Sequence, residues 1–245
     1  MKLLALDTAT EAMALGLADD GASVTHLAEG GAQASAALLP AVLALLADRG
    51  LRPAQLQGIA FGRGPGAFTG LRTAVSAAQG LAFGIGCPVW PIDSLLIVAE
   101  DARRQAAPDG PFSLWVAMDA RMDEVYGAAY RHVPGQGWTT EVEPALWDLP
   151  TLHARWALQP PAAVAGSALP AFGERLSVPA GVPTWPACAD RAGALLALAS
   201  AAAAAGPGLP AEQALPLYLR DKVAQTTAER EAAKAAAAAN TPPAG

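Results

Sequence analysis

A weak internal repeat constrains the fold of this chain more than any other feature of its sequence. The stretches LLALDTATEAMALGLA and LWVAMDARMDEVYGAAY align at an offset of 112 residues, which places Asp7 on Asp119. In each stretch an apolar strand ends at the aspartate and leads into a second strand. Such self-similarity is typical of a duplicated supersecondary unit. The sequence therefore predicts an α/β protein with two similar lobes.

Strand and helix patterns indicate how each half is built. The first half predicts three short strands with an Asp-Gly turn, then helix, strand, helix, strand and helix, with the helices near 35–48, 69–84 and 94–105. AAPDGP at 106–111 interrupts the order, and the pattern then restarts. We expect an N-terminal lobe over 1–107, a C-terminal lobe over 108–222, and an Ala-rich, flexible tail over 223–245.

Charge and motif patterns exclude several classes of function. The net charge of −6 argues against nucleic-acid binding by the chain alone, because such binding uses clustered lysines and arginines. No run of 18 residues is apolar enough to span a membrane, and no secretion signal is present, so we expect a soluble cytoplasmic protein. The three histidines are isolated, and neither H-E-x-x-H nor G-x-S-x-G occurs. A zinc site or a catalytic triad therefore has no local support.

Asp7 and Asp119 are the candidate chemical residues, since a carboxylate at the end of a sheet strand often holds a metal–phosphate group. The alternative is that each aspartate merely caps a turn. The flanking residues count against nucleotide, because phosphate needs small residues that allow close backbone approach, whereas Met122 and Glu124 add bulk and negative charge. The sequence therefore predicts a degenerate nucleotide cleft around Asp7, Thr8 and Asp119.

The stretch FGRGPGAFTG at 61–70 resembles a phosphate-binding loop only superficially. It lacks the Lys-Ser/Thr of a P-loop, its glycines have the wrong phase for a dinucleotide motif, and Pro65 has no N–H to donate. We interpret it as a sharp strand-to-helix turn whose glycines take positive φ and whose Thr69 caps the following helix. The residues of this turn are Gly62, Gly64, Gly66, Thr69 and Gly70.

The two helices on either side of this turn have more apolar surface than a core requires. The helix over 35–48 is apolar nearly all round, and the helix over 69–84 carries a stripe of small residues that permits close approach of another helix. We interpret the excess as a partner interface. A plain core role for the 35–48 helix is equally consistent with its sequence.

Five segments together resemble the bacterial TsaB (YeaZ) family. They are LALDTATEAMALGLADDG, LLPAVLALL, IAFGRGPGAFTGLRTAVSAAQGLA, MDARMDEVYGAAY and ALPLYLRDKVA, and they extend from residue 3 to about residue 223. Of these, GRGPGxFTGLR is far more specific to the family than a generic glycine-rich loop would be. The resemblance implies two ribonuclease-H-like lobes in the architecture of the actin/hexokinase/Hsp70 ATPases.

The resemblance also implies a function. Members of the family are non-catalytic partners of the paralogue TsaD, and with TsaD and the ATPase TsaE they form N6-threonylcarbamoyladenosine at position 37 of tRNAs that read ANN codons. The implied protein has no cofactor, contacts tRNA only through the complex, and forms a homodimer when TsaD is absent. TsaD carries a metal on an H-x-x-x-H motif, whose histidines fall here on Ser94 and Val98. Neither side chain replaces imidazole as a metal ligand.

Within the family the two helices form the surface that meets TsaD. The implied interface residues are Leu38, Leu39, Val42, Leu71, Arg72, Val75 and Gln79. This sequence has Ala67 where serine is common and Thr73 where isoleucine is common. Two alternatives remain open at this point: an ATPase or phosphotransferase that uses Asp7 and Asp119, and a protein similar to M22 metallopeptidases.

Overall fold

A computed structural model describes residues 1–220. The tail predicted over 223–245 lies outside the described residues. Among the helices of residues 1–220, none is both long enough and apolar enough to cross a bilayer.

The first half of the chain forms one five-stranded sheet with three helices. Its strands follow the order β3-β2-β1-β4-β5, in which β1 to β3 are antiparallel and β1, β4 and β5 are parallel. Asp20 and Gly21 both have left-handed φ values (44° and 95°), which explains the Asp-Gly pair between β2 and β3. The bounds are β1 Leu3–Asp7, β2 Ala12–Asp19, β3 Ala22–Glu29, α1 Ala34–Ala47, β4 Gly58–Gly64, α2 Phe68–Ile85, β5 Val89–Asp93 and α3 Ser94–Ala106.

The second half repeats the first, element by element. Its sheet has the order β8-β7-β6-β9-β10, which is the same arrangement of first to fifth strands. The bounds are β6 Phe112–Asp119, β7 Glu124–Val133, β8 Gly137–Asp148, α4 Leu149–Leu158, β9 Val164–Ala165, α5 Ala168–Phe172, β10 Thr184–Trp185 and α6 Arg191–Ala205. The predicted duplication is confirmed. Two ribonuclease-H-like lobes in one chain form an actin/hexokinase/Hsp70-like architecture.

Helices α3 and α6 occupy equivalent places in the repeat, and they pack against each other between the two sheets. Helix α6 also covers the first sheet, where Leu195 and Leu196 join the core formed by Leu3 and Ala14. A Cβ on Gly16 of β2 would lie 2.9 Å from the Cβ of Leu196, so glycine allows this close packing. The sequence assigns α6 to the second lobe, whereas its apolar face completes the core of the first. The exact lobe bounds stay a prediction.

Helices α1 and α2 cover the other face of the first sheet. After α6 the chain returns to this face and runs beside α2 as residues 209–220, which contain one 3-10 turn at Ala211–Gln213 and which we call the C-terminal strap. Leu209 forms two backbone hydrogen bonds of 2.8 Å with Val89, near the end of α2. Further on, the N–H of Leu217 donates to the carbonyl of Arg63 at 2.7 Å, near the beginning of α2. The strap then continues to the second lobe.

Candidate functional site

A cleft between the two lobes encloses a cavity of about 900 Å³. Its walls come from the turn after β1, the glycine-rich turn before α2, the end of β6 and the C-terminal strap. The volume lies in the range of small-molecule sites, so the chemistry of the lining residues decides what the cleft can do.

Asp7 lies at the end of β1 and is fully buried. Its Oδ1 accepts hydrogen bonds from the Nε and Nη2 of Arg191 at 3.0 and 2.8 Å, and its Oδ2 accepts one from the hydroxyl of Ser94 at 2.8 Å. Burial by itself lowers the pKa of Arg191, but the carboxylate of Asp7 outweighs it, so the net shift is upward. The carboxylate is therefore neutralised by an arginine of the same chain.

The glycine-rich turn is shaped by its contacts with β1 and the residues that follow. A Cβ on Gly62 would lie 1.7 Å from Oδ2 of Asp7, and one on Gly70 would lie 1.9 Å from the carbonyl oxygen of Thr8. Thr8 is buried and donates its hydroxyl to the carbonyl of Gly70 at 2.6 Å. These glycines allow the turn to pack against its own chain, so they leave no open cradle for a phosphate.

Two details of the predicted turn are wrong. Among its glycines only Gly64 has a left-handed φ, of 106°, while Gly66 is required because a Cβ there would lie 2.4 Å from the carbonyl oxygen of Ala9. Close packing, rather than backbone conformation, therefore explains most of the glycines. Thr69 does not cap α2: the helix begins at Phe68 and has no side-chain cap.

Asp119 lies at the end of β6 and lines the cavity, whereas Asp7 and Thr8 do not. Its Oδ1 accepts the backbone N–H of Arg121 at 2.8 Å, and its Oδ2 is 3.5 Å from the guanidinium of the same residue. The two aspartates therefore do not face each other across the cavity as a ligand pair. The degenerate nucleotide cleft stays a prediction: a cavity lies at this place, but Asp7 and Asp119 are engaged within the chain.

The loop after β6 is held by the end of the strap. Arg121, Met122 and Asp123 all have left-handed backbones, with φ of 63°, 57° and 59°. Arg220 donates to the carbonyl of Ala120 at 3.0 Å and forms a 2.6 Å ion pair with Glu124. A left-handed backbone at three successive non-glycine residues is unfavourable. Arg220 therefore stabilises a loop conformation that these residues would not adopt by themselves.

The positions that correspond to metal-binding histidines serve the fold instead. The hydroxyl of Ser94 donates to Asp7 and accepts the backbone N–H of Gly64 at 3.0 Å. Val98 lies on the side of α3 that packs against the second sheet, and it is buried there. Over residues 1–220, no three histidine, cysteine or acidic side chains come close enough together to hold a metal ion.

The predicted partner interface needs a correction, because four of its side chains belong to the core of the first lobe. Leu38, Val42, Leu71 and Val75 are 1%, 0%, 2% and 6% exposed and pack on or beside the first sheet. These four side chains are therefore covered on the outer surface of the helices, and Leu71 also lines the cleft between the lobes. The apolar periodicity of α1 and α2 marked the faces that point inward.

Other residues form the outward surface of the same helices. Leu39, Leu43 and Phe83 are 46%, 51% and 63% exposed, which is unusual for large apolar side chains. Gln79 is half-buried and Arg72 is exposed. Leu43 and Phe83 are not among the interface residues that the resemblance implies, although an apolar residue opposite the buried side of each helix is a signal that the sequence contains.

Arg72 is held in place by contacts with its own chain. Its guanidinium stacks 3.9 Å above the centre of the Phe68 ring, and its Nε donates to the hydroxyl of Tyr218 at 2.9 Å. The Tyr218 and Phe68 rings are 5.4 Å apart. The beginning of α2 and the C-terminal strap therefore share one exposed cluster.

Comparison with known proteins gives consistent results. The model of the family described as "TsaD: tRNA N6-adenosine threonylcarbamoyltransferase" matches residues 26–145. The chain is 31% identical over 238 residues to the tRNA threonylcarbamoyladenosine biosynthesis protein TsaB of Escherichia coli K12. The aligned region covers 91% of this chain and 96% of that protein.

Solved structures agree. YeaZ from Pseudomonas aeruginosa is 37% identical, with a TM-score of 0.77 over 89% of this chain and 99% of that chain. A second structure, of a protein from P. aeruginosa described as similar to the peptidase YEAZ, is 35% identical, with a TM-score of 0.76 and the same coverage. Identity at this level over nearly the whole of each relative shows common descent as well as a common fold. The chain therefore belongs to the TsaB (YeaZ) family, whose member in E. coli K12 is named as a tRNA threonylcarbamoyladenosine biosynthesis protein.

Proposed function

We propose that this chain is a non-catalytic scaffold subunit in the formation of N6-threonylcarbamoyladenosine at position 37 of tRNAs that read ANN codons. In this role it binds and activates TsaD, acts together with TsaE in the cytoplasm, and contacts tRNA only through the complex. When TsaD is absent, the TsaD-binding surface pairs with a second copy of the chain.

The observation that carries the non-catalytic part of the proposal is the pairing of Asp7 with Arg191. A nucleotide-dependent enzyme of this architecture would need the carboxylate at the end of β1 to face a metal ion in the cleft. Here that carboxylate is buried, accepts three hydrogen bonds from Arg191 and Ser94, and does not line the cavity. Leaving one charge of such a buried pair without its partner costs about 3–5 kcal/mol. Separating Asp7 from Arg191 so that the carboxylate could bind a metal ion is therefore unfavourable.

Two glycines in α2 support the scaffold part. Gly80 and Gly84 are exposed, and a Cβ on either would have no atom within 4 Å. Glycine in a helix interior costs about 0.5–1 kcal/mol relative to alanine. No contact within residues 1–220 requires glycine at either position. We therefore attribute both glycines to the close approach of a partner helix.

Reconstitution tests the proposal. Purified TsaD and TsaE homologues from the same organism are incubated with tRNA, ATP and threonylcarbamoyl-AMP, and modified adenosine is measured by mass spectrometry. We expect no modification by this chain alone and a large increase when it is added to the other components. Modification that does not change on its addition would contradict the scaffold role.

Two enzymatic alternatives have separate tests. The cavity of about 900 Å³ is large enough for a nucleotide, which a phosphotransferase would bind. Tight binding of Mg-ATP in calorimetry, abolished by Asp7→Ala, would favour that function. The resemblance of one relative to a peptidase suggests metal analysis of the purified protein. A stoichiometric transition metal would support a metallopeptidase-like protein.

A further inference from the structure

We propose that the C-terminal strap is a third element of the partner-binding surface, and that Leu215 and Tyr218 contact the same partner chain as α1 and α2. This inference rests on the proposed function, because it assigns the strap to the TsaD-binding surface. It enlarges that surface beyond the two helices that the sequence indicates.

The first argument is the distribution of exposed apolar side chains. Residues 1–220 expose ten large hydrophobic side chains, and six of them lie on α1, α2 or the strap. A surface needed only to cover the core would present polar atoms to water along these segments. Concentration on three neighbouring segments is instead typical of an interface. The six are Leu39, Leu43, Phe83, Leu209, Leu215 and Tyr218.

The second argument is that the strap follows α2 along its whole length. At the end of the helix, Phe83 and Leu209 line one open groove of about 440 Å³. At its beginning, Tyr218 packs on Phe68 at the rim of the cleft, which both rings line, and accepts the hydrogen bond from Arg72. A partner helix that lies on the exposed face of α2, which carries Arg72, Gly80 and Phe83, therefore meets the strap at both ends.

The third argument concerns Arg72, which lies where α2 and the strap meet. Phe68 supports its planar face and Tyr218 fixes its Nε, while its two Nη nitrogens make no hydrogen bond to any residue in 1–220. A guanidinium held in this way is prepared to donate a pair of hydrogen bonds to a carboxylate. The expected partner is therefore an apolar helical surface that carries an acidic side chain opposite Arg72. Tyr218 and Arg72 are also the residue types that dominate interface energetics.

The test measures the dissociation constant for the TsaD homologue of the same organism by calorimetry, on the full chain. We expect Leu215→Asp and Tyr218→Ala each to weaken binding by at least about tenfold. Tyr218→Phe keeps the ring but frees Arg72, and we expect a smaller loss. Matched controls are Leu158→Asp and Leu27→Asp, which change side chains that are 86% and 54% exposed elsewhere on the chain. These should bind within about twofold of wild type.

A variant in α1 separates this inference from the proposed function. If Leu43→Asp abolishes binding while Leu215→Asp and Tyr218→Ala bind as wild type, the strap is not part of the surface, but the scaffold role stands. If no variant affects binding, or no complex forms, the proposed interface itself is wrong. Loss of self-association in ultracentrifugation, with TsaD binding unchanged, would assign the strap to a homodimer and overturn the inference. Thermal unfolding of each variant shows that the fold is kept, and Leu215→Gln replaces any variant that unfolds.

Discussion

Gly80→Ala separates the demands of the fold from the demands of a partner. The residue lies in the interior of α2, is exposed, and has a helical φ that alanine adopts without strain. A Cβ there would meet no atom within 4 Å. Alanine should therefore stabilise the isolated chain by about 0.5–1 kcal/mol, because it removes conformational freedom from the unfolded state.

The expected stabilisation is measurable. For a chain of this length, 1 kcal/mol corresponds to a shift of roughly 2–4 °C in Tm, so Gly80→Ala should raise Tm by about 1–4 °C. Gly80→Leu should be accommodated by the isolated chain equally well. At a closely packed interface, however, the extra carbons cost about 1–3 kcal/mol, or a factor of about 5–150 in the Kd for TsaD.

Differential scanning calorimetry and binding calorimetry on the same samples check both halves of the prediction. Ala154→Gly, at an exposed position of α4 in the second lobe, is the matched control. It should lose about 0.5–1 kcal/mol of stability and leave the Kd unchanged. A Gly80→Leu protein that binds TsaD as tightly as wild type would refute the reasoning, as would a Gly80→Ala protein that is less stable than wild type.

Three further predictions concern the buried charges and the loop. Arg191→Met should lower the free energy of unfolding by about 3–5 kcal/mol in urea denaturation, because it leaves the Asp7 charge unpaired, and adding Asp7→Asn should restore part of the loss. Burial alone raises the pKa of Glu100, but hydrogen bonds from Arg103 and Trp138 outweigh it and hold the pKa below its ordinary value of 4.5. The stabilisation by Glu100 is therefore complete above that pH and lost as the pH falls through the lower folded value, so wild type and Glu100→Gln should converge in stability in acid. Arg220→Ala should increase amide hydrogen exchange in the loop over 121–123 and leave that of α4 unchanged.

The sequence predicted the elements of the fold well where local chemistry decides them. The Asp-Gly pair located the hairpin of β2 and β3, and the bounds predicted for α1, α2 and α3 differ from the structure by at most one residue at each end. The alignment of Asp7 with Asp119 indicated the duplication. These features depend on short-range periodicity and turn residues, which a single sequence records.

The contacts that define the site depend on distant parts of the chain. Asp7 and Arg191 are 184 residues apart, and no local spacing links them. Leu38 and Leu39 are adjacent leucines, yet one is 1% and the other 46% exposed, because the position of the sheet decides which side of an apolar helix is buried. The strap has no periodicity at all. Its role follows from where the fold returns the chain.

The packing of α6 on the first sheet has a consequence for the order of events during synthesis. All strands of that sheet are complete at Asp93, but Arg191 and Leu195 follow about 100 residues later. At a translation rate of about 5–20 residues per second, the nascent first lobe exposes one sheet face, and leaves Asp7 without its counter-charge, for roughly 5–20 s. The core of the N-terminal lobe therefore cannot be completed until α6 has been synthesised, although N-terminal domains usually fold first.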